Sequence, residues 1–275
     1  MSLFAFGLGY SAARVIARGQ FGAAAGTVRA RAAVEAWRGR GVAAHLFGEG
    51  APAAEIALVS IPPDAEGDPV LRAYAPALRA GALARVVYLS TVGVYGDAGG
   101  GWVDEDSPTA AITPRARARV AAEAAWRAFG REAGVAVDIL RLGGIYGPGR
   151  SAFDRLREGT ARRVAKPGQV FNRIHVDDIA AAVETVATAA RPGAVYNVVD
   201  GAPSAPEDMI VYAAGLIGVA PPPEEPFATA GLTGMAASFY EENRRVRNDR
   251  LRALGWTPRY PTYREGLAAI LAEEA

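Results

Sequence analysis

Cysteine is absent from the 275 residues, which excludes disulfides, thiolate metal sites and a cysteine nucleophile together. Histidine is almost as scarce, and two histidines leave too few ligands for a dedicated transition-metal site. No apolar run reaches the ~18–20 residues that span a bilayer, so no membrane partner is expected. An excess of one charge is also missing. Thirty Lys plus Arg stand against 29 Asp plus Glu, and a net charge of +1 predicts no general attraction to nucleic acid. The N-terminus shows no basic region followed by a signal-like apolar segment. Leu3 to Phe6 already reads as a strand, and a cytoplasmic location is expected. What remains is 51% hydrophobic and 21% charged, the balance of an ordinary folded domain with room for a large core.

Short apolar runs alternate with helical stretches along the first half of the chain. Ser2 to Phe6, a run ending near Thr27-Val28-Arg29, Val42 to Phe47, Glu55 to Ile61, Arg85 to Ser90 and Val135 to Leu140 read as strands. Helices are expected over Ala12 to Arg18, Ala32 to Trp37, Val70 to Ala80 and Arg115 to Arg131. Continuous apolar strands between helices indicate a parallel sheet covered on both faces. The expected fold is therefore α/β, a Rossmann-type doubly wound parallel sheet over residues 1–149. A smaller C-terminal α/β lobe, 150–275, interleaves with it, returning a last core strand near 194–199. Helices in the lobe are expected over Phe153 to Glu158, Asp177 to Ala190, Pro206 to Ile217 and Tyr263 to Glu273. The lobe should cover the carboxyl edge of the sheet, where open α/β sheets bind ligands.

Gly7-Leu8-Gly9-Tyr10-Ser11-Ala12 fits G-x-G-x-x-A between the first strand and the first helix. Gly7 permits a tight turn, Gly9 lets backbone approach a pyrophosphate, and Ala12 lets helix and strand pack closely. The helix N-terminus beyond supplies N–H groups and positive potential, so this placement points to a dinucleotide. An NAD site wants an acid at the end of the second strand for the ribose hydroxyls. That acid is missing from Thr27-Val28-Arg29-Ala30-Arg31. Arg29, with Arg31 as a second candidate, can pair with a 2′-phosphate, so NADP(H) is favoured over NAD(H).

Three further segments, taken in order with the glycine loop, resemble the extended short-chain dehydrogenases, the NAD(P)-dependent epimerase/dehydratase family. They are Tyr88 to Gly96 (YLSTVGVYG), Leu140 to Gly149 (LRLGGIYGPG) and Ile174 to Ala180 (IHVDDIA). Tyr196 to Asp200 resembles the family's late strand, and Leu254 to Pro258 followed by Tyr260 to Gly266 is similar to an atypical subgroup. The resemblance implies further cofactor contacts at Ser60, Ile61 and Pro62, at Ser90, and at Leu142, Gly143 and Ile145. It also implies a catalytic Ser/Thr, matched by Thr91, and a Tyr-x-x-x-Lys pair on the long helix.

That pair is missing. Aligned through Glu123, Arg115 stands at the tyrosine position and Arg119 at the lysine position. A guanidinium stays charged near neutrality and cannot cycle a proton as a phenol does. Arg115 could hold an oxyanion, and Arg119 could still contact the cofactor ribose or a phosphate. Tyr95, Tyr146 and His175 are the candidate replacements for the acid/base, with Tyr146 the best placed, in the loop after the sixth strand. Asp177 and Asp178 read as the cap of the following helix. The run Asp104-Glu105-Asp106 reads as a solvated turn, and Arg117, Asn172 and Arg173 as surface residues or anion ligands of the cleft. Two functions follow: an oxidoreductase or epimerase acting on a small polar, sugar-like molecule with a non-standard acid/base, or an inactive NADP(H)-sensing protein. A homodimer through the long helix is open on either reading, across a surface charged by Arg115, Arg117, Arg119, Arg127 and Arg131.

Overall fold

The computed structural model describes residues 1–50, 53–190 and 192–274; Ala51, Pro52, Arg191 and Ala275 lie outside the described residues. Seven parallel strands form the main sheet: β1 (Ser2–Phe6), β2 (Ala23–Val28), β3 (Ala43–Leu46), β4 (Ile56–Val59), β5 (Arg85–Thr91), β6 (Ala136–Leu142) and β7 (Val195–Val198). Their order across the sheet is β7-β6-β5-β4-β1-β2-β3. The chain runs outward from β1 to β3, then returns to lay β4 on the other side of β1, which makes the β1/β4 junction the topological switch point. The register pairs Phe6 with Val59, Val28 with Leu46 and Thr91 with Leu142, so the strands end along one common edge.

Period-two alternation decides which residues meet which helices. Leu3, Ala5, Ile56, Leu58, Val87 and Leu89 point to one face and pack with Ala12, Val15, Val34, Ile179 and Val183. Phe4, Phe6, Ala57, Val59, Val86 and Tyr88 point to the other and pack with Tyr74, Leu78, Trp126 and Phe129. The first face thus carries helices α1 (Tyr10–Ala17), α2 (Arg31–Arg38) and, from far along the chain, Val176–Thr188. The second carries α3 (Pro69–Ala80) and α4 (Pro114–Ala133). Both of these start with proline in the first turn behind a side-chain cap, Asp68 on the amides of Val70 and Leu71, and Thr113 on that of Ala116. The Asp68 carboxylate also accepts from the Trp126 indole at 3.0 Å, joining α3 to α4.

Besides α6 (Val176–Thr188, the helix already placed against α1), three helices pack together in a further layer: α5 (Ala152–Arg157), α7 (Asp208–Leu216) and the terminal helix Tyr263–Glu274. Three two-stranded pairs, none expected from the sequence, stitch this layer together. Residues 144–146 pair with 173–175, 163–165 with 224–226, and 102–103 with 245–246. Two or three residues carry no readable periodicity, so only the tertiary pairing reveals them. Glu105 also departs from the expected solvated turn. Its carboxylate is drawn inward to accept from the Asn197 amide of edge strand β7 at 2.8 Å, and burial raises its pKa. Asp104 does form a turn with Ser107, and Asp106 pairs with Arg250 at 2.7 Å.

One buried ion pair holds α4 to the sheet. Arg141 of β6 donates to Glu123 through Nε (3.1 Å) and Nη2 (2.8 Å), and Ser90 of β5 donates to the same carboxylate at 2.6 Å. Both charged side chains are 3% exposed. Removing one member of such a pair strands the other charge in the interior. Glu123→Ala should therefore lower the unfolding free energy by about 3–5 kcal/mol, read from urea titration. The double change Glu123→Leu with Arg141→Met should recover most of that loss.

Candidate active site

The turn after β1 is held on three sides. Gly7 has φ of +89°, and a Cβ there would come within 2.9 Å of both Ile61 Cγ1 and Ser60 Oγ. Its amide donates to Thr27 Oγ1 at 3.1 Å, the Leu8 amide donates to the Thr27 carbonyl at 2.8 Å, and Ser60 Oγ donates to the Gly7 carbonyl at 2.7 Å. Thr27, fully buried, was not singled out from sequence; a hydroxyl 20 residues away from Gly7 gives no local signal. Helix α1 starts at Tyr10, two residues before the expected start. Its cap, Gly9, offers no side-chain hydrogen bond, the first turn holds no acid, and a Cβ on Gly9 would meet nothing within 4 Å. Exposed amides, positive helix potential and open space are what a pyrophosphate needs, so these residues fit a dinucleotide. Ser11 and Ala12 are buried under the turn. Tyr10 donates to the Pro148 carbonyl at 3.0 Å, and burial pushes its phenol up to about 12.

Arg29 and Arg31 lie beyond the end of β2, which stops at Val28, and both are exposed; Arg31 comes within 3.8 Å of exposed Glu49. Ser60, Ile61 and Pro62 follow β4, which ends earlier than expected, and so border the switch point from its other side. Leu142 closes β6 in the core, the Gly143 amide donates to the Val198 carbonyl at 3.0 Å, and Ile145 is half-buried in the strand 144–146. The Ser90 hydroxyl is engaged by Glu123, so that side chain serves the α4 latch.

Thr91 ends β5 and accepts from the Gly93 amide at 3.1 Å, capping a 3-10 turn over Val92–Tyr95. Arg115 is exposed on the first turn of α4. Arg119, one turn on, is buried and donates to Tyr88 Oη (3.1 Å) and the Leu89 carbonyl (2.8 Å), which anchors α4 on β5. Lys166, the one lysine of the sequence, is held against the Tyr240 carbonyl and over the Phe227 ring. None of the three candidate acid/bases stands open to the cleft. Tyr146 packs in the interior: it is 4% exposed, clustered with Phe153, Met209 and Leu267, and burial drives its pKa upward. A side chain at Gly266 of the terminal helix would collide with its phenol. Tyr95 donates to Asn197 Oδ1 at 2.7 Å. His175 is buried between Tyr146 and Tyr260, and desolvation lowers its pKa to about 4.

The residues around His175 form a buried polar layer beneath the cleft. His175 itself caps α6 through Nδ1 on the Asp177 amide, which corrects the cap expected at Asp177 and Asp178. Those acids are used elsewhere: Asp177 pairs with Arg14 of α1, and Asp178 accepts from the amides of Arg259 (2.6 Å) and Tyr260 (3.1 Å). Arg173 is neither on the surface nor in the cleft; it donates to Ser204 Oγ (2.6 Å) and to the Phe171 and Ala205 carbonyls. Asn172 is buried too, bracing the segment 244–246 from both ends of its amide, while Arg117 is exposed and bonds the Ile112 carbonyl. Asp200 follows β7 into this layer, accepts from the Ala202 amide at 3.0 Å, and is raised to about 7 by burial.

With this geometry in place, comparison with known proteins is informative. Residues 70–199 match the NAD dependent epimerase/dehydratase family. Protein YeeZ of Escherichia coli (strain K12) is 34% identical over 140 residues, 50% of this chain and 48% of that protein, so the chain spans about half the length of this curated relative. A functionally unknown conserved protein from Silicibacter pomeroyi DSS shares 44% identity and a TM-score of 0.92, over 99% of this chain and 98% of that one. The dTDP-glucose 4,6-dehydratase of Bacillus anthracis str. Ames, solved in complex with NAD, superposes with a TM-score of 0.78 at 15% identity, over 99% and 96% of the two chains. At that identity the likeness is one of fold.

Asp200 makes stability depend on pH in a defined direction. Its folded-state value, about 7, lies above that of an unfolded aspartate, ~3.9. Between those values only the folded state keeps the proton, so rising pH favours unfolding across that window and has no further effect above it. Asp200→Asn removes the titration while mimicking the protonated acid. Its stability relative to wild type should therefore rise from pH 4 to pH 7, by roughly 4 kcal/mol at most, in parallel urea titrations. A pH-independent difference would exclude the raised carboxyl.

Proposed function

The chain belongs to the NAD dependent epimerase/dehydratase family, a family that binds NAD(P), and from that footing we propose that it is an NADP(H)-dependent oxidoreductase or epimerase. Its substrate on this reading is a small polar, sugar-like molecule. The observation that carries the proposal is the uncapped N-terminus of α1 behind the Gly7–Gly9 turn, with Arg29 and no acid beyond the end of β2. When bound there, the nicotinamide supplies or accepts a hydride. The residues of this chain divide the remaining work. Gly9 and the first amides of α1 receive the pyrophosphate, Arg29 with Arg31 receives the 2′-phosphate, and Thr91 orients the substrate oxygen.

A second reading is a protein that senses NADP(H) without turnover. It is favoured by one set of observations: Tyr95, Tyr146 and His175 are all buried in structural contacts, and Arg119 is engaged by β5.

Fluorescence titration with NADPH and NADH tests the cofactor, and consumption of NADPH against panels of sugars, nucleotide sugars and carbonyl compounds separates the two readings. NADPH should bind at least roughly tenfold more tightly than NADH. Arg29→Ala should remove most of that preference and leave NADH binding unchanged, since the interaction removed is a charge-assisted hydrogen bond worth about 1.5–3 kcal/mol. Equal affinity for both nucleotides in the wild type would overturn the NADP(H) assignment. Tight cofactor binding without turnover of any panel member would favour the sensor.

A further inference from the structure

Arg244 reaches the same point as Thr91 from the opposite side of the chain. A Cβ placed on Gly93, in the 3-10 turn after β5, would lie 3.4 Å from Thr91 Oγ1 and 3.9 Å from Arg244 Nη2. Two side chains more than 150 residues apart in sequence thus converge on one small region at the carboxyl edge of β5.

Arg244 is held there by its neighbours on both sides. Its Nη1 donates to the Gly96 carbonyl and to Glu242 Oε2 at 2.6 Å, and its side chain is 12% exposed. The backbone on either side is pinned as firmly. Asn172 Nδ2 donates to the Arg244 carbonyl at 3.0 Å, Asn172 Oδ1 accepts from the Val246 amide at 2.9 Å, and the Asn243 amide donates to Asp97 Oδ1 at 2.8 Å. Residues 245–246 run as a short strand beside 102–103. A guanidinium costs free energy to desolvate, and here it has been built into a braced segment whose Nη2 faces the turn that Thr91 caps.

The two groups have one function in common, the donation of hydrogen. Thr91 Oγ1 already accepts from the Gly93 amide and still has its O–H to give, along with one lone pair. A guanidinium has donors and no acceptor. Both groups can donate to a ligand over Gly93, and because the guanidinium can only donate, the one ligand atom that engages both is an oxygen acceptor. The Glu242 carboxylate neutralises Arg244 at close range, so the pair as a whole carries no net charge toward the ligand. That balance suits a neutral carbonyl oxygen better than a carboxylate or phosphate.

We propose that Arg244 and Thr91 form a two-donor site for the carbonyl oxygen of the substrate, in which Arg244 fixes that oxygen where the chain has no tyrosine. The inference rests on the reading of this cleft as the substrate side of a nicotinamide nucleotide site.

The test is binding of trifluoroacetamide, a carbonyl probe, followed by broadening of its fluorine resonance on protein first shown by fluorescence to be loaded with NADPH. Wild type should bind the amide, and bind it more tightly than trifluoroacetate. Arg244→Met and Thr91→Val should each weaken it roughly tenfold or more, the loss expected of one hydrogen bond to a charged or desolvated donor. Arg244→Lys, which keeps a cation and a donor, should recover part of the loss, and it carries the test with Thr91→Val if circular dichroism shows Arg244→Met unfolded. Unchanged amide binding in the folded variants, or no amide binding by the loaded wild type, would overturn the site while leaving the cofactor reading intact. Preference for trifluoroacetate would overturn the neutral-carbonyl assignment. Failure to load with either NADPH or NADH would remove the reading on which the site depends.

Discussion

The carboxylate of Glu123 is the point through which the middle of the molecule is tied together. It sits on α4, yet its partners are Arg141 of β6 and Ser90 of β5, so one side chain fixes a helix against two neighbouring strands. Arg119, one turn earlier on the same helix, adds two more bonds to β5. Thr91 is the next residue after Ser90, and the 3-10 turn it caps is therefore set by the same latch. A buried charge pair is costly to form and adds little net stability. Its bonds to two strands at once add directional contacts to the apolar packing of Trp126 and Phe129 on the same face.

The second organising feature is the way the C-terminal segment closes over the carboxyl edge. Asp178 draws down the amides of Arg259 and Tyr260, Trp256 donates to the Asp178 carbonyl, and the terminal helix lays Gly266 against Tyr146. These contacts carry Tyr146 and His175 into the interior. The segment 242–248 meanwhile crosses to the turn after β5 and delivers Arg244. The lobe thus buries the groups that looked available for proton transfer and brings a cation from a remote part of the chain beside Thr91.

Much of this architecture was legible in residue order. Continuous apolar runs such as Leu3-Phe4-Ala5-Phe6 and Val86-Val87-Tyr88-Leu89 mark strands buried on both faces, and the helices between them read from their alanine and arginine spacing. The glycine turn was legible because Gly7 and Gly9 act through backbone geometry, which sequence spacing encodes directly. Side chains that act across the fold were not. Thr27 bonds Gly7 over 20 residues, Glu105 reaches Asn197 over 92, and Asn172 braces Arg244 over 72. None leaves a local pattern, since each is an ordinary polar residue until the tertiary contact is made.

Sequence by itself determined the parallel sheet, the dinucleotide turn, the arginines beyond β2 and the absence of the Tyr-x-x-x-Lys pair, because each of these depends on residue type at short spacing. Tertiary structure alone decided that Tyr146 packs against the terminal helix, that His175 caps α6, that Arg119 anchors α4, and that Arg244 stands beside Thr91. The reason is physical. A side chain's chemistry follows from its burial and its partners, and in a sheet that gathers strand ends from the whole chain those partners come from segments far apart in sequence.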